Sequence, residues 1–216
     1  LQRLSDGYGG AEDVKAGLRY AGEALSENND NPTILSCAGL ALGTLGYRAL
    51  GFRVLGFRYD EAQRAIDRAL SLSPNLLMVQ YAAGMVGCVV GKGDAALGHF
   101  TRAIRISPLD PGMGAYIVGT GLAHMISGRY DEALAVAQRA VQEYPSFASS
   151  HRLMVIALGQ LGRIGEAKPA AQDTEGQPNE LPQAALQTPP TPQSPWESHS
   201  WPVSSVRPPQ TLRPHR

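Results

Sequence analysis

The sequence predicts an all-α solenoid, in which similar helix pairs stack in a row, and two observations lead to that prediction. Two alanines seven residues apart are followed five residues later by a proline, and this triplet occurs three times. Successive prolines are separated by 34 and then by 37 residues. A period in the thirties is typical of arrays in which each supersecondary unit packs on its neighbour. The triplets are Ala62, Ala69 and Pro74, then Ala96, Ala103 and Pro108, then Ala133, Ala140 and Pro145.

Residues 77–108 show how one unit divides into two helices. The first helix presents a face of small and apolar residues, and Gly91-Lys92-Gly93 ends it. Asp94 is predicted to cap the second helix, and Pro108 ends that helix because proline lacks an N–H and restricts the residue before it. Spacings of four, three and one residues on the second helix are those of a stripe buried against a neighbour. The two faces consist of Ala83, Gly84, Gly87 and Val90, and of Ala96, Phe100, Ala103 and Ile104.

The same scheme extends in both directions along the chain. After a turn at 128–130, Asp131 is predicted to cap another second helix. Residues 148–162 fit a first helix, and 165–167 begin its partner. Upstream, Gly17, Ala21 and Ala24 fit a second helix whose partner would precede Leu1, so the chain is interpreted as a fragment of a longer protein. The array is predicted to hold about three and a half helix pairs.

This pattern resembles the tetratricopeptide repeat. The small residues, the helix-breaking glycine and the terminal proline recur at the places that this family uses, and the stretch Gly128-Arg129-Tyr130-Asp131-Glu132-Ala133 is close to its consensus turn. The resemblance covers residues 10–167. It implies a right-handed superhelical solenoid of antiparallel helix pairs, in which the first helix of each pair lines a concave face.

Residues 45–59 depart from the repeat. Three near-copies of one pentapeptide follow one another where a normal repeat has room for one, and we infer a tandem duplication. A period of five places successive copies about 140° apart around a helix axis, so the insert cannot keep one apolar stripe. A longer first helix that frays is favoured over an irregular loop. The copies are LGYRA, LGFRV and LGFRY.

Residues 168–216 are predicted to form a proline-rich, disordered tail. Pro169 falls inside an expected helix, where a proline costs about 3 kcal/mol. The tail contains 11 of the 16 prolines and no apolar periodicity, which is typical of segments that cannot build a core. Pro189, Pro192 and Pro195 have the Pro-x-x-Pro spacing that aromatic grooves bind, and Trp196 and Trp201 would suit partner anchors. Such spacings arise readily in any proline-rich tail, so an unselected linker is the favoured interpretation, and a change of reading frame is an alternative.

Composition excludes several classes of function. The chain has 19 basic and 19 acidic residues, and the two signs also balance before and after residue 167, so no basic stripe marks a nucleic-acid site. Its apolar runs are far shorter than a membrane span, and no signal segment is evident. Cys37 and Cys88 lack metal spacing and are expected to be buried thiols. The absence of a signal predicts a cytoplasmic protein, and the excess of arginine over lysine suits a GC-rich bacterial gene.

The residue types that carry chemistry occur here in structural patterns. No pair among the five histidines has metal-binding spacing. His124 and His151 are expected to lie between helices as structural residues. The acidic doublets at 60–61 and 131–132 fall at helix N-termini, where carboxylates are favourable. We therefore predict no catalytic residues, no metal and no cofactor, and the chain is not expected to be an enzyme.

The resemblance to tetratricopeptide repeats also assigns a binding face. The outward positions of the first helices are largely apolar, with one arginine, so the family's carboxylate clamp is not expected. An apolar groove of this kind should be covered by a segment of a partner, of an upstream region or of a second copy; tight superhelical packing is the alternative. The predicted groove residues are Met78, Tyr81, Met85, Val89, Val118, Leu122, Met125, Arg152 and Ile156, accompanied by Cys88, Ala115, Ile126, Ser149, Gly159 and Gln160.

Two functions follow from these expectations. The first is a protein-interaction scaffold that binds an apolar or helical segment without chemistry of its own. The second is the C-terminal regulatory or oligomerising region of a larger signalling protein, because residues 70–162 also look like the repeats of bacterial nucleotide cyclases and of winged-helix regulators. Protein or peptide partners are expected, and neither nucleic acid nor membrane.

Overall fold

A computed structural model describes residues 11–26, 30–49 and 58–172. In these residues the chain forms nine α-helices joined by short connections. The expected tail from residue 173 onwards and the middle of the 45–59 insert lie outside the described residues. The helices are α1 (Ala11–Ser26), α2 (Pro32–Ala49), α3 (Tyr59–Leu72), α4 (Leu77–Val89), α5 (Gly93–Ile106), α6 (Met113–Ile126), α7 (Tyr130–Glu143), α8 (Ala148–Gln160) and α9 (Ile164–Gln172).

The helices stack in the order in which they occur in the chain. Each packs on the next, and α2, α4, α6 and α8 also pack on one another in sequence. We call these four the A helices and α1, α3, α5, α7 and α9 the B helices. The predicted all-α solenoid of antiparallel helix pairs is confirmed, and α1 is the second helix that the sequence indicated at its upstream end.

The turn from each A helix to its B helix has the same construction three times. Gly91, Gly128 and Gly162 have φ angles of 77°, 72° and 72°, a left-handed conformation that only glycine adopts without strain. The residue after each glycine donates its N–H to the carbonyl five residues earlier, over 2.8 Å in the Lys92–Gly87 case. This closes the helix with a Schellman-type turn, and the sequence prediction of a break at these glycines is confirmed.

The connectors from B helix to A helix are held by a polar link that the sequence analysis did not foresee. The fourth residue of α4, Gln80, donates from Nε2 to the Pro74 carbonyl over 2.6 Å. In α8 the corresponding His151 Nε2 lies 2.8 Å from the Pro145 carbonyl. In α6 the Tyr116 hydroxyl donates to Asp110 Oδ1 over 3.1 Å. Each link fixes the angle at which the chain enters an A helix.

The predicted caps were wrong at two helices. α5 begins at Gly93 and α7 at Tyr130, so Asp94 and Asp131 lie within the first turn and make no capping hydrogen bond. They still place negative charge at the positive end of the helix dipole. Asp94 instead forms an ion pair with Arg129, 2.8 Å away, which removes its carboxylate from the capping position.

The predicted boundary at residue 167 was also wrong, because α9 runs through Pro169 to Gln172. Proline at this position removes one helical hydrogen bond. Ala167 and Ala170 lie on either side of it and are buried against a cluster that includes Leu134, Val155 and Leu158. Packing of this face holds the helix beyond the proline, which is itself exposed.

The insert lengthens the first A helix. α2 has 18 residues, whereas α4 and α8 each have 13. The additional turn contains the first pentapeptide copy, residues 45–49, in agreement with the favoured expectation of a longer helix. The remaining copies, apart from Arg58 and Tyr59, fall outside the described residues.

Candidate interaction surface

The A helices form the inner layer of the solenoid. Neighbouring A helices pack on one another, whereas the described B helices pack mainly on A helices. The array is therefore packed more tightly on the A side than on the B side. We call the face lined by α2, α4, α6 and α8 the concave face, because the resemblance assigns a concave face to the first helices.

A single aromatic side chain fills the space behind this face. Phe100 of α5 is fully buried, and its ring lies between α4 and α6. A Cβ placed on Gly84 would come within 2.7 Å of the ring, and one placed on Gly119 within 2.5 Å. No real Cβ contact is that short, so only glycine permits this wedge.

Tyr81 links this interior to the concave surface. Its ring is edge-on to Phe100 at 6.1 Å and to Tyr116 at 5.5 Å between centroids. These are favourable aromatic geometries. Burial raises the pKa of Tyr81, and burial together with the Asp110 hydrogen bond raises the pKa of Tyr116 to about 12. Both rings therefore stay neutral at physiological pH.

Most of the predicted groove residues are half-buried. This burial lies between the open apolar groove and the tight superhelical packing that the sequence left as alternatives. Tyr81, Met85, Leu122 and Met125 pack partly against the core clusters. Met78, Val89 and Ile156 lie outside the packed clusters of the described residues, and Met78 is 38% exposed. We call these three residues the free apolar set.

The assignment of Val118 to the groove surface was wrong. Its side chain is only 5% exposed and belongs to the core between α6 and its neighbours. Two glycines that follow it in α6 explain this burial, because Gly119 admits Phe100 and Gly121 admits Leu153, with 2.3 Å between an added Cβ and Leu153 Cδ2. The helices that flank α6 thus approach closely at this level and cover Val118. Cys88 and Gly159, which were also expected at outward positions, are buried as well.

The concave face becomes more polar towards α8. The A helices α4 and α6 contain no Lys, Arg, Asp or Glu, whereas α8 contributes Arg152, which donates to Ser149 Oγ over 2.8 Å. Three of the predicted groove residues are methionines, whose flexible thioethers adapt to differently shaped apolar partners. Over the described side chains of α4, α6 and α8, the face is therefore an adaptable apolar surface with one cation, Arg152, at its α8 end.

The three histidines of the described residues, His99, His124 and His151, take part in structural contacts. Because the Gln80 amide nitrogen is engaged with Pro74, its oxygen accepts from His99 Nδ1 over 2.8 Å. Burial, chiefly, lowers the pKa of His99. Gln80 itself is 2% exposed, so this link joins α4 to α5 inside the first fully described pair.

His124 takes part in a contact between successive repeat units. Its Nδ1 accepts from Arg129 Nε over 3.0 Å, and Arg129 also pairs with Asp94 of the preceding unit. Burial and the Arg129 charge lower the pKa of His124. Because Nδ1 accepts, the neutral ring carries its proton on Nε2.

In the described part of the chain, no cluster of three or more His, Cys, Asp or Glu side chains could hold a metal ion. Cys88 is buried and its pKa is raised to about 12, so its sulfur stays in the unreactive thiol form. Cys37 is half-buried rather than buried as expected. None of the helices within 11–26, 30–49 and 58–172 is both long and apolar enough to cross a membrane.

Comparison with known proteins shows a likeness of fold. No family model and no curated protein sequence matches the chain. The solved structure of the MamA RS-1 ArsTM double mutant matches with a TM-score of 0.53 and 21% identity, covering 76% of this chain and 85% of that one. MamA 41-end from Desulfovibrio magneticus RS-1 matches with a TM-score of 0.51 and 23% identity, over 80% and 85% of the two chains.

A third match is YrrB, described as a TPR protein with an unusual peptide-binding site, at a TM-score of 0.43 and 19% identity over 73% of this chain and 74% of that one. The MamA likeness establishes a tetratricopeptide-type solenoid fold. The matches lend no support to the resemblance to nucleotide cyclases or winged-helix regulators.

Proposed function

We propose that this protein is an interaction module whose concave face binds an apolar or amphipathic helical segment of a protein, without chemistry of its own. One observation carries the proposal. α4 and α6 are predominantly apolar and contain no Lys, Arg, Asp or Glu, a composition typical of helices that are buried on all sides, yet their concave sides are half-exposed. A bound segment would complete that burial.

The free apolar set indicates where a bound segment would bury the most additional apolar surface. Met78 and Val89 lie near the two ends of α4, and Ile156 lies on α8, so a segment that touches all three crosses the A helices rather than following one of them. Complete burial of a Met, Val or Ile side chain is worth roughly 1.5–3 kcal/mol relative to full exposure. These residues are already partly covered, so each would supply only part of that amount.

The test is a selection of amphipathic helical peptides on the full chain, followed by binding measurements with charged variants. Met78→Lys and Ile156→Lys should each weaken binding of a selected peptide by tenfold or more, since desolvating an unpaired ammonium costs at least about 1.4 kcal/mol. Gln138→Lys adds the same charge on an exposed position of α7 and serves as the matched control. Equal binding by all three variants would exclude the concave face.

A free partner protein, an upstream region and a second copy are the sources of the segment that the sequence analysis expected. The cytoplasmic location and the bacterial origin that the sequence predicts remain predictions.

A further inference from the structure

Resting on the proposed function, we propose that the occupant of the concave face is the chain's own segment 192–203, which contains both tryptophans. Three properties of the molecule support this assignment: the reach of the chain beyond α9, the chemistry of the segment and the effective concentration that the covalent link provides.

The reach is sufficient. α9 packs on α8, the A helix that carries Arg152 and Ile156, so the chain leaves the described structure next to one side of the groove. The 24 residues from Gln172 to Trp196 could span roughly 80 Å when extended. Packed helices lie 8–10 Å apart, which places α4 about 20 Å from α8. Even a coiled linker of that length has a typical end-to-end distance of about 25–30 Å.

Segment 192–203 offers side chains that complement the concave face. Trp196, Trp201 and Val203 are apolar in a stretch whose other residues are polar or proline. Tryptophan is the side chain most enriched among interface anchors, and methionine sulfur packs favourably against aromatic rings. Glu197 directly follows Trp196, so its carboxylate would accompany the anchor towards Arg152, the single charged residue of the predicted groove.

The covalent link lowers the affinity that docking requires. A flexible tether gives an effective concentration in the millimolar range, so an intrinsic Kd below about 1 mM already leaves the groove mostly occupied. The prolines at 189, 192 and 195 restrict the backbone before docking, which reduces the entropy lost on binding. A free partner would have to compete with this occupant.

The two tryptophans make the proposal directly measurable, because they are the only ones in the chain. Their fluorescence in the full chain reports on segment 192–203 and on no other part. We expect emission at shorter wavelength and weaker quenching by acrylamide than for a free peptide of residues 173–216. Met78→Lys and Ile156→Lys should move both readouts towards those of the free peptide, and Gln138→Lys should leave them unchanged.

A charge reversal sharpens the test. Arg152→Glu should shift the emission towards that of the free peptide, and Glu197→Lys in the same chain should restore it. Emission identical to the free peptide overturns the proposal. So does buried emission that is insensitive to the groove variants, because the tail would then dock elsewhere. A shift that grows with protein concentration shows docking between two copies and overturns the assignment to the same chain.

Failure of this inference and failure of the proposed function can be told apart. If the tryptophans are exposed while selected peptides still bind and the groove variants abolish that binding, only the tail assignment is wrong. If neither the tail nor any selected peptide uses the face, both are wrong. Displacement of the tail by a selected peptide, seen as a return to free-peptide emission, would support both.

Discussion

The side of α4 and α6 that faces α5 and the side that forms the concave face are both apolar, but the first is buried and the second is partly exposed. On the side facing α5, Phe100 is fully buried and held between two glycines. On the concave side, Met78 remains 38% exposed. The interior side has no room for a methyl group, whereas the concave side has apolar surface still facing water. The comparison teaches that apolar composition alone does not identify the core of this solenoid; the positions of the glycines do.

The largest loss of stability should come from removing the buried ring between α4 and α6. Phe100→Ala removes a ring that α4 and α6 enclose, and truncations of buried aromatic residues typically cost about 3–5 kcal/mol. Chemical denaturation monitored by circular dichroism would measure the loss. Little change in the denaturation midpoint would mean that the wedge does not hold the repeats together, and the comparison would fail.

A matched pair of glycine substitutions tests the same interior from the other direction. Gly119→Ala would push a methyl group into the Phe100 ring. Overpacking costs about 1–3 kcal/mol and the better helix propensity of alanine restores about 1 kcal/mol, so a net loss of up to roughly 2 kcal/mol is expected. At Gly98, an exposed position of α5, an added Cβ would have no neighbour within 4 Å. Gly98→Ala should therefore increase the free energy of unfolding by about 1 kcal/mol.

The pair contains its own check. If steric conflict with the ring causes the loss at Gly119, the smaller side chain of Phe100→Leu should reduce the penalty of Gly119→Ala in the same chain. An undiminished penalty would point to a backbone cause instead.

The repeat itself could be predicted from the sequence, because glycine, alanine and proline at fixed spacing impose local geometry. Gly91 and Gly128 were correctly placed as helix breaks, since a left-handed turn needs glycine. The predicted capping role of Asp94 was wrong, because α5 begins one residue earlier and the carboxylate pairs with Arg129, 35 residues away in the sequence. The groove assignment of Val118 failed for a similar reason. The burial of Val118 depends on how closely neighbouring helices approach. Helical periodicity predicts which face a residue lies on, but not the distance between helices.

A smaller effect is expected from acid, and it should act on the interior contacts. The pKa values of His99 and His124 are lowered from 6.5, so the unfolded chain binds protons at these sites more readily than the folded one. Their contribution to stability is present above pH 6.5 and is lost as the pH falls through the folded-state values. Denaturation midpoints should therefore decrease between pH 7.5 and 5.5, before the carboxylates titrate.

His99→Gln combined with His124→Gln is the control for this dependence. Neither side chain then titrates, and the midpoint should change less with pH than in the parent chain. The free apolar set contains no titratable residue, so binding at the concave face should vary less over this range than stability does. An equal pH dependence in the double variant would assign the effect to other groups.

The smallest effect on stability should come from the concave side. Met78→Gln replaces an exposed apolar side chain that lies outside the packed clusters, and such surface changes usually alter the free energy of unfolding by less than about 0.5 kcal/mol. The same substitution should weaken binding of a peptide selected on this face, because it removes apolar area that the ligand covers. A loss of stability comparable to that of Gly119→Ala would show instead that superhelical packing already uses this residue, and the contrast between the two sides of α4 would disappear.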